Sequence, residues 1–246
     1  MHCMASRPLR KTQRKTSSAA PAVEVRLDRK AAILLAAEKL FAQSGYHAVT
    51  IRQIAEEADV PLALVSYYYG QKHELFEAIF AHWNATIEER MQELRDAETG
   101  PANAARLERI IRAFVGPVLR MRASAEGEYY ALLVARELFY ATEVTDRVLR
   151  VYFDPLANAF IDALHRIFAQ ATRGQMAWCY QFALGALMHH LSDTRVQRLS
   201  NHQSHPGDPT AQTMLVHFIA GGMRAAIAQC DPRPKVTPLK QRRSLP

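Results

Sequence analysis

The sequence predicts an all-α protein. Three observations carry that expectation: apolar residues recur at helical spacing almost without a break from Arg29 to Cys230, no alternating strand of any length interrupts them, and capping and stop residues punctuate the run at helix-sized intervals. With 49% hydrophobic and 22% charged residues over 246 positions, the composition is that of a globular chain and excludes collagenous or wholly disordered classes.

The first helix is expected over 28–44, with Ile33, Ala37 and Phe41 on one stripe, Leu40 beside it, and Gly45 as its terminator. The second begins at Thr50. There Thr50-Ile51-Arg52-Gln53 fits a capping box, in which the hydroxyl accepts a backbone N–H and Gln53 reaches back. Ile51, Ile54, Ala55 and Ala58 supply its buried side. Asp59-Val60-Pro61 breaks the pattern, a third helix follows to Tyr69, and Gly70 closes it. Residues 72–94 read as one longer amphipathic helix with Leu75, Phe76, Ile79, Phe80 and Trp83 inward. Beyond Pro101, helices are expected at about 102–122, 126–141, 144–171, 173–193 and 210–229, with Pro117 and Pro155 marking a kink or a break. The stretch 195–209 is the longest interruption, and Asp208-Pro209 reads as a cap followed by proline at the first helical position.

The formal charge is +7, and its distribution says more than its size. Eight Lys/Arg against two acidic residues crowd positions 1–30, and five against one crowd positions 231–246, which leaves the folded body slightly acidic. The chain therefore divides into a basic flexible arm (1–27), a three-helix unit (28–74), a helical body (75–230) and a basic tail (231–246). Basic arms of this kind suit polyanions through counterion release. No apolar run approaches the roughly 18 residues of a membrane-spanning helix, and no apolar stretch follows the N-terminal basic residues at signal-peptide distance. A cytoplasmic location without membrane partners is expected. Cys3, Cys179 and Cys230 lie too far apart for a paired-Cys metal spacing or a disulfide framework and read as reduced thiols.

Three short helices in about 45 residues, with a tight turn between the second and third, form a helix-turn-helix pattern. Its residues are Ala37-x-x-Leu40-Phe41-x-x-x-Gly45-Tyr46-x-x-x-Thr50-x-x-x-Ile54-Ala55-x-x-Ala58-x-Val60, then Tyr68-x-x-x-Lys72-x-x-Leu75-Phe76. This resembles the N-terminal domain of the tetracycline-repressor (TetR) family of transcriptional regulators, over about residues 30–80. Where that family commonly has Gly, Ser, Tyr and Phe, this chain has Asp59, Pro61, Ser66 and Tyr69.

The resemblance implies a double-stranded DNA operator as partner. Val65 and Tyr69, four apart, share the inward side of the third helix, so Ala63, Leu64 and Tyr67 should point roughly outward with Ser66 and Tyr68 on the flanks. Lys72 joins its charge to helix-N-terminal N–H groups, a phosphate site. Thr50 is explained as a cap and also as a phosphate contact. The third helix lacks Arg, Asn and Gln, so specificity is expected from Arg52, the Tyr67 hydroxyl and the basic arm before Asp28, entering an adjacent minor groove to sense its width. Residues 31–80 nonetheless hold three Lys/Arg against six acidic residues.

For the body, the resemblance implies an inducer cavity among its aromatics, with Arg136, Tyr140, Trp178 and Phe182 as candidate ligand contacts. Trp178, Phe182, Leu187 and Leu191, together with residues 214–227, form two C-terminal helices that serve either a homodimer interface or an internal core. His189 and His190, adjacent on one helix, diverge by about 100°, His202 and His205 sit in a polar loop, and no metal or cofactor is expected. No nucleophile elbow, phosphate loop, zincin or paired-Cys motif is present, so no enzyme is expected. The resulting expectation is a homodimeric repressor released from a partly palindromic operator by a small molecule. The rival is an all-α small-molecule-binding or protein-interaction module that no longer reads DNA.

Overall fold

A computed structural model of the protein describes residues 20–125, 127–139 and 143–229. Among them there are helices and no strand. Most of the basic arm, the basic tail, Tyr140, Cys3 and Cys230 lie outside the described residues.

The head is built from α1 (Ala20–Ser44), α2 (Ile51–Glu57), α3 (Leu62–Tyr69) and α4 (Lys72–His82). Helix α1 begins eight residues earlier than expected: nothing between Ala22 and Ser44 breaks a helix, and Pro21 falls in the first turn, where no backbone N–H is needed. Gly45 stops it at φ 84° and returns its N–H to the Phe41 carbonyl at 2.8 Å. Ile33, Ala37, Phe41, Ile54, Val65, Leu75 and Phe76 close the core, with the Phe41 and Phe76 rings edge to face at 5.5 Å. Removing a fully buried phenylalanine such as Phe41 would cost about 3–5 kcal/mol.

The expected helix over 72–94 is two helices. Trp83, at φ −88° and ψ 5°, separates α4 from α5 (Asn84–Ala97), and the Thr86 hydroxyl bonds its carbonyl at 2.7 Å. A second split falls in the expected helix 144–171, which is α8 (Glu143–Val148), a π-helical turn (Leu149–Phe153) and α9 (Asp154–Ile167). Pro155 in the first turn of α9 has no N–H to donate, and the Asp154 N–H bonds the Leu149 carbonyl five residues back, which widens the turn. Pro117, by contrast, is buried inside an unbroken α6 (Ala104–Ala123).

The body is completed by α7 (Glu128–Phe139), α10 (Arg173–Ser192), the short α11 (Val196–Leu199) within the expected loop, and α12 (Pro209–Gln229). Pro209 opens α12 as expected, and the Asp208 carboxylate accepts the Thr210 N–H at 2.8 Å. Helix α6 is the central strut, burying Ile110, Ile111, Phe114, Val115 and Val118 against α5, α9, α10 and α12. Helix α7 belongs to both cores: Tyr130 and Leu133 pack with the head, Ala135 with the body.

Candidate nucleic-acid interface and ligand cavity

Thr50 caps α2 as its sequence demands. Its Oγ1 accepts the Gln53 N–H at 3.3 Å, while its own N–H donates to Gln53 Oε1 at 2.8 Å. The cap fixes where α2 begins and so holds Arg52 outward on the exposed surface. Asp59, where the family commonly has Gly, adopts φ 51°, a left-handed backbone that Asp tolerates better than most residues. That turn delivers Pro61 to the start of α3.

On α3, Val65 is fully buried and Tyr69 is half-buried, its hydroxyl donating to the Lys30 carbonyl at 2.9 Å. Burial pushes the Tyr69 phenol up to about 12. The outward face is Leu62, Ala63, Ser66 and Tyr67, spaced i, i+1, i+4, i+5, with Tyr67 65% exposed. Leu64, expected outward, instead lies half-buried against the head's core beside Tyr68, four residues on, while Ser66, expected on a flank, is exposed. Leu62 was missed, although its four-residue spacing to Ser66 places it on the outward face. The Tyr67 and Tyr68 rings meet edge to face at 5.2 Å. Lys72 opens α4 with its ammonium 4.4 Å from the Tyr46 ring centroid, and partial burial lowers its pKa. Thr50, Arg52, Ala63, Ser66 and Tyr67 are all solvent-exposed, with Lys72 half-buried at the same head.

Inside the body, α5, α6, α7, α9 and α10 enclose a cavity of about 50 Å³. Ile87, Val118, Met121, Leu156, Leu184 and Leu187 supply apolar wall, and Arg90, Tyr130 and Tyr180 supply polar groups. Arg90 falls in the stripe Ile87, Arg90, Leu94, Ala97 and is only 8% exposed. Its Nε and the Tyr130 hydroxyl are buried with no hydrogen-bond partner among the described residues. Burial lowers the Arg90 pKa and raises those of Tyr130 and Tyr180. Neither Arg90 nor Tyr130 was singled out from sequence as a ligand contact, although an arginine inside an otherwise apolar 3-4-3 stripe was a visible signal.

Of the expected ligand contacts, Arg136, Trp178 and Phe182 do not line this cavity, and Tyr140 lies outside the described residues. Arg136 instead reaches the end of α1, donating to the Gln43 and Ser44 carbonyls at 3.4 and 3.2 Å, where the helix dipole favours a cation. Trp178 and Phe182 lie on the outer surface, 64% and 66% exposed, with rings stacked at 5.8 Å. Met214 and Phe218 of α12 are each 71% exposed, and between the two helices runs a groove of about 210 Å³ floored by Ala183, Ile219 and Met223. Leu187 and Leu191 face inward. Among the described residues no three metal-ligating side chains converge, and no helix is long and apolar enough to cross a membrane.

A third polar group ties head to body. Glu38 of α1 is buried, and its carboxylate accepts the Trp83 indole N–H at 2.7 Å and a bond from the Tyr130 backbone. Desolvation outweighs both bonds and raises its pKa to about 7. The Trp83 ring stacks in turn on Tyr130 at 5.1 Å, so the wall of the cavity and the first helix of the head share a continuous contact.

Comparison with known proteins agrees with this architecture. Over 48 residues the chain is 44% identical to the HTH-type transcriptional regulator HbdR of Aromatoleum sp. (strain CIB), a match covering 20% of this chain and 21% of that protein. The chain thus matches only about a fifth of that relative's length. A TetR-like transcriptional regulator from Rhodococcus sp. RHA1 has the same fold, with a TM-score of 0.57 at 18% identity over 82% of this chain and 97% of that one. HlyIIR, a hemolysin II transcriptional regulator, aligns at a TM-score of 0.55 and 19% identity over 80% and 97%. The fatty acid degradation regulator FadR from Bacillus halodurans aligns at 0.54 and 16% over 80% and 96%. Residues 33–79 match the family described as bacterial regulatory proteins, tetR family, and residues 112–222 match the tetracyclin repressor-like C-terminal domain. With both halves of the architecture matched, the chain belongs to the TetR family of transcriptional regulators.

Proposed function

We propose that the protein is a homodimeric, cytoplasmic transcriptional repressor without enzymatic activity, which a small molecule releases from a partly palindromic operator. The observation that carries this reading is the pairing of an outward α3 face on the head with an exposed apolar face on α10 and α12 of the body. Trp178, Phe182, Met214 and Phe218 are exposed together on α10 and α12, and a large exposed apolar patch marks an interface. Two copies joined through α10 and α12 would present two α3 helices to one duplex. A fit requires them to lie about 34–36 Å apart in successive major grooves. Exposed Gly222 and Ala225 on α12 leave room for close helix approach.

The DNA contacts in this reading are Thr50 and Lys72 to phosphates, Arg52 and Tyr67 to base edges, and Ala63 and Ser66 at close range; Leu64 and Tyr68 support the helix that carries them. The acidic balance of residues 31–80 favours a second reading, a ligand- or protein-binding module that no longer reads DNA.

Mobility-shift and footprinting measurements with the DNA flanking its own gene separate the two. A protected, partly palindromic site is expected, with sedimentation as a dimer at micromolar concentration. Phe218→Asp should give a helical monomer with weakened DNA binding. Salt-sensitive binding without a preferred site, or a wild-type monomer, would overturn the proposal.

A further inference from the structure

The body's cavity is apolar except for Thr86, Arg90, Tyr130 and Tyr180; the Thr86 hydroxyl donates to the Trp83 carbonyl, and Arg90 cannot shed its charge. Arginine stays protonated in proteins, and a buried guanidinium is tolerated when an anion or a set of acceptors meets it. Arg90 makes no hydrogen bond or ion pair among the described residues, and its Nε is sealed from solvent without an acceptor. Its guanidinium carbon lies 6.0 Å from the Phe114 ring centroid. Glu93, one turn on, is engaged by Arg120 instead. The Tyr130 hydroxyl, on the same cavity, is likewise buried and unpartnered. Two unpaired donors on one apolar cavity define the chemistry of what is missing.

We infer that this cavity is the binding site for a small monocarboxylate with an apolar body, Arg90 supplying the counter-charge and the Tyr130 hydroxyl a second hydrogen bond. The inference rests on the proposed ligand-responsive reading and gives it a ligand class. A carboxylate matches the planar guanidinium fork. A dianion such as a phosphate monoester would want a second cation, and Arg90 is the only charged residue that lines the cavity among the described residues. The Tyr130 phenol, already protonated at neutral pH and raised further by burial, serves as a donor. Beyond Arg90 and Tyr130 the described lining adds only Tyr180 and a Thr86 hydroxyl already donated to the Trp83 carbonyl, too few polar partners for a sugar or a peptide. A volume of about 50 Å³ is smaller than the roughly 150 Å³ that holds a benzene ring, so a short chain or a single ring enters only as the wall yields, and Met121 and Met188 are unbranched side chains that can move aside.

The test is calorimetric titration of the full-length protein with butyrate, hexanoate, octanoate and benzoate, beside 1-hexanol and hexyl phosphate. At least one carboxylate should bind at millimolar concentration or below. Hexanoate should bind about tenfold or more tightly than 1-hexanol, the factor expected of one charge-assisted hydrogen bond. Arg90→Met, which replaces a buried unpaired charge with an apolar side chain, should remain folded and lose that preference. Tyr130→Phe should weaken carboxylate binding several-fold with an unchanged helical spectrum. Equal affinity for hexanol, tighter binding of hexyl phosphate, retained preference in Arg90→Met, or no binding of any carboxylate would each overturn the inference. DNA release is measured in parallel: carboxylates that bind without releasing DNA leave the ligand class standing and overturn the release mechanism, whereas release by neutral compounds alone does the reverse.

Discussion

Glu38 illustrates at the scale of one residue how a charge count misleads. In the sequence it is one of six acids that make the head negative, yet it is buried against Trp83 and Tyr130 and holds its proton to about pH 7. An unfolded glutamate ionises near 4.5. The folded state therefore binds more protons than the unfolded state between those values, so stability is fully present below about 4.5 and falls as pH rises toward 7. Glu38→Gln should flatten that slope, gaining on the order of 2 kcal/mol over wild type at pH 8 relative to pH 5. Parallel slopes for the two proteins in urea titrations would refute it. Asp59 yields a second residue-scale expectation. At φ 51° the backbone is left-handed, so Asp59→Ala should destabilise by about 1 kcal/mol while Asp59→Gly changes stability by a few tenths. Thermal denaturation of both variants distinguishes this from a side-chain role, in which Gly and Ala would cost the same. The need for a special backbone was legible from the family's usual glycine. The proton on Glu38 was not, because an acid beside apolar residues reads as the edge of a helix face until a partner helix covers it.

At the scale of elements, helix starts and stops were the most legible features, because each rests on local chemistry: Thr50 with Gln53, Gly45, and Asp208 with Pro209 all act where they stand in the sequence. Breaks imposed by tertiary contacts were not legible. Trp83 continues the apolar stripe of α4 perfectly well, and leaves the helix so that its indole can reach Glu38 on α1. The faces of α3 were read correctly for Val65 and Ala63 but not for Leu64, since an eight-residue helix has little periodicity to average over and its flanks are decided by what α1, α2 and α4 leave uncovered. That observed face sharpens the DNA prediction. Tyr67→Phe and Arg52→Ala should each relax base preference at one or two positions per half-site, at about 1–3 kcal/mol, whereas Lys72→Ala should weaken all sequences alike and lower the salt slope by about one per half-site. Selection from a random DNA pool with each variant reads this directly, and an unaltered motif for Tyr67→Phe and Arg52→Ala would remove both from base reading.

At the scale of the whole molecule, function depends on whether the body can move the head, and α7 is the element through which it would do so. Tyr130 at its start forms part of the cavity wall and stacks on Trp83, while Arg136 two turns later holds the last carbonyls of α1. Gly45 completes this second contact: a Cβ there would stand 2.7 Å from the Arg136 guanidinium, so the close approach depends on glycine as well as on the arginine. A shift of α7 on ligand binding would therefore be passed to both the middle and the end of α1. The exposed Arg147–Glu77 pair also links body to head, from α8 to α4, but a solvent-exposed ion pair contributes little. Arg136→Met should accordingly leave the fold, ligand affinity and unliganded DNA affinity nearly unchanged, and reduce the ratio of DNA dissociation constants with and without bound carboxylate toward unity. Coupling in such systems is typically about 5–150-fold, so a substantial loss is measurable. Arg147→Ala serves as the control and should keep the ratio. Anisotropy titrations of operator DNA, with and without saturating hexanoate, give the ratio for all three proteins. An undiminished ratio in Arg136→Met, or an equal loss in Arg147→Ala, would show that the end of α1 is not where the two halves communicate.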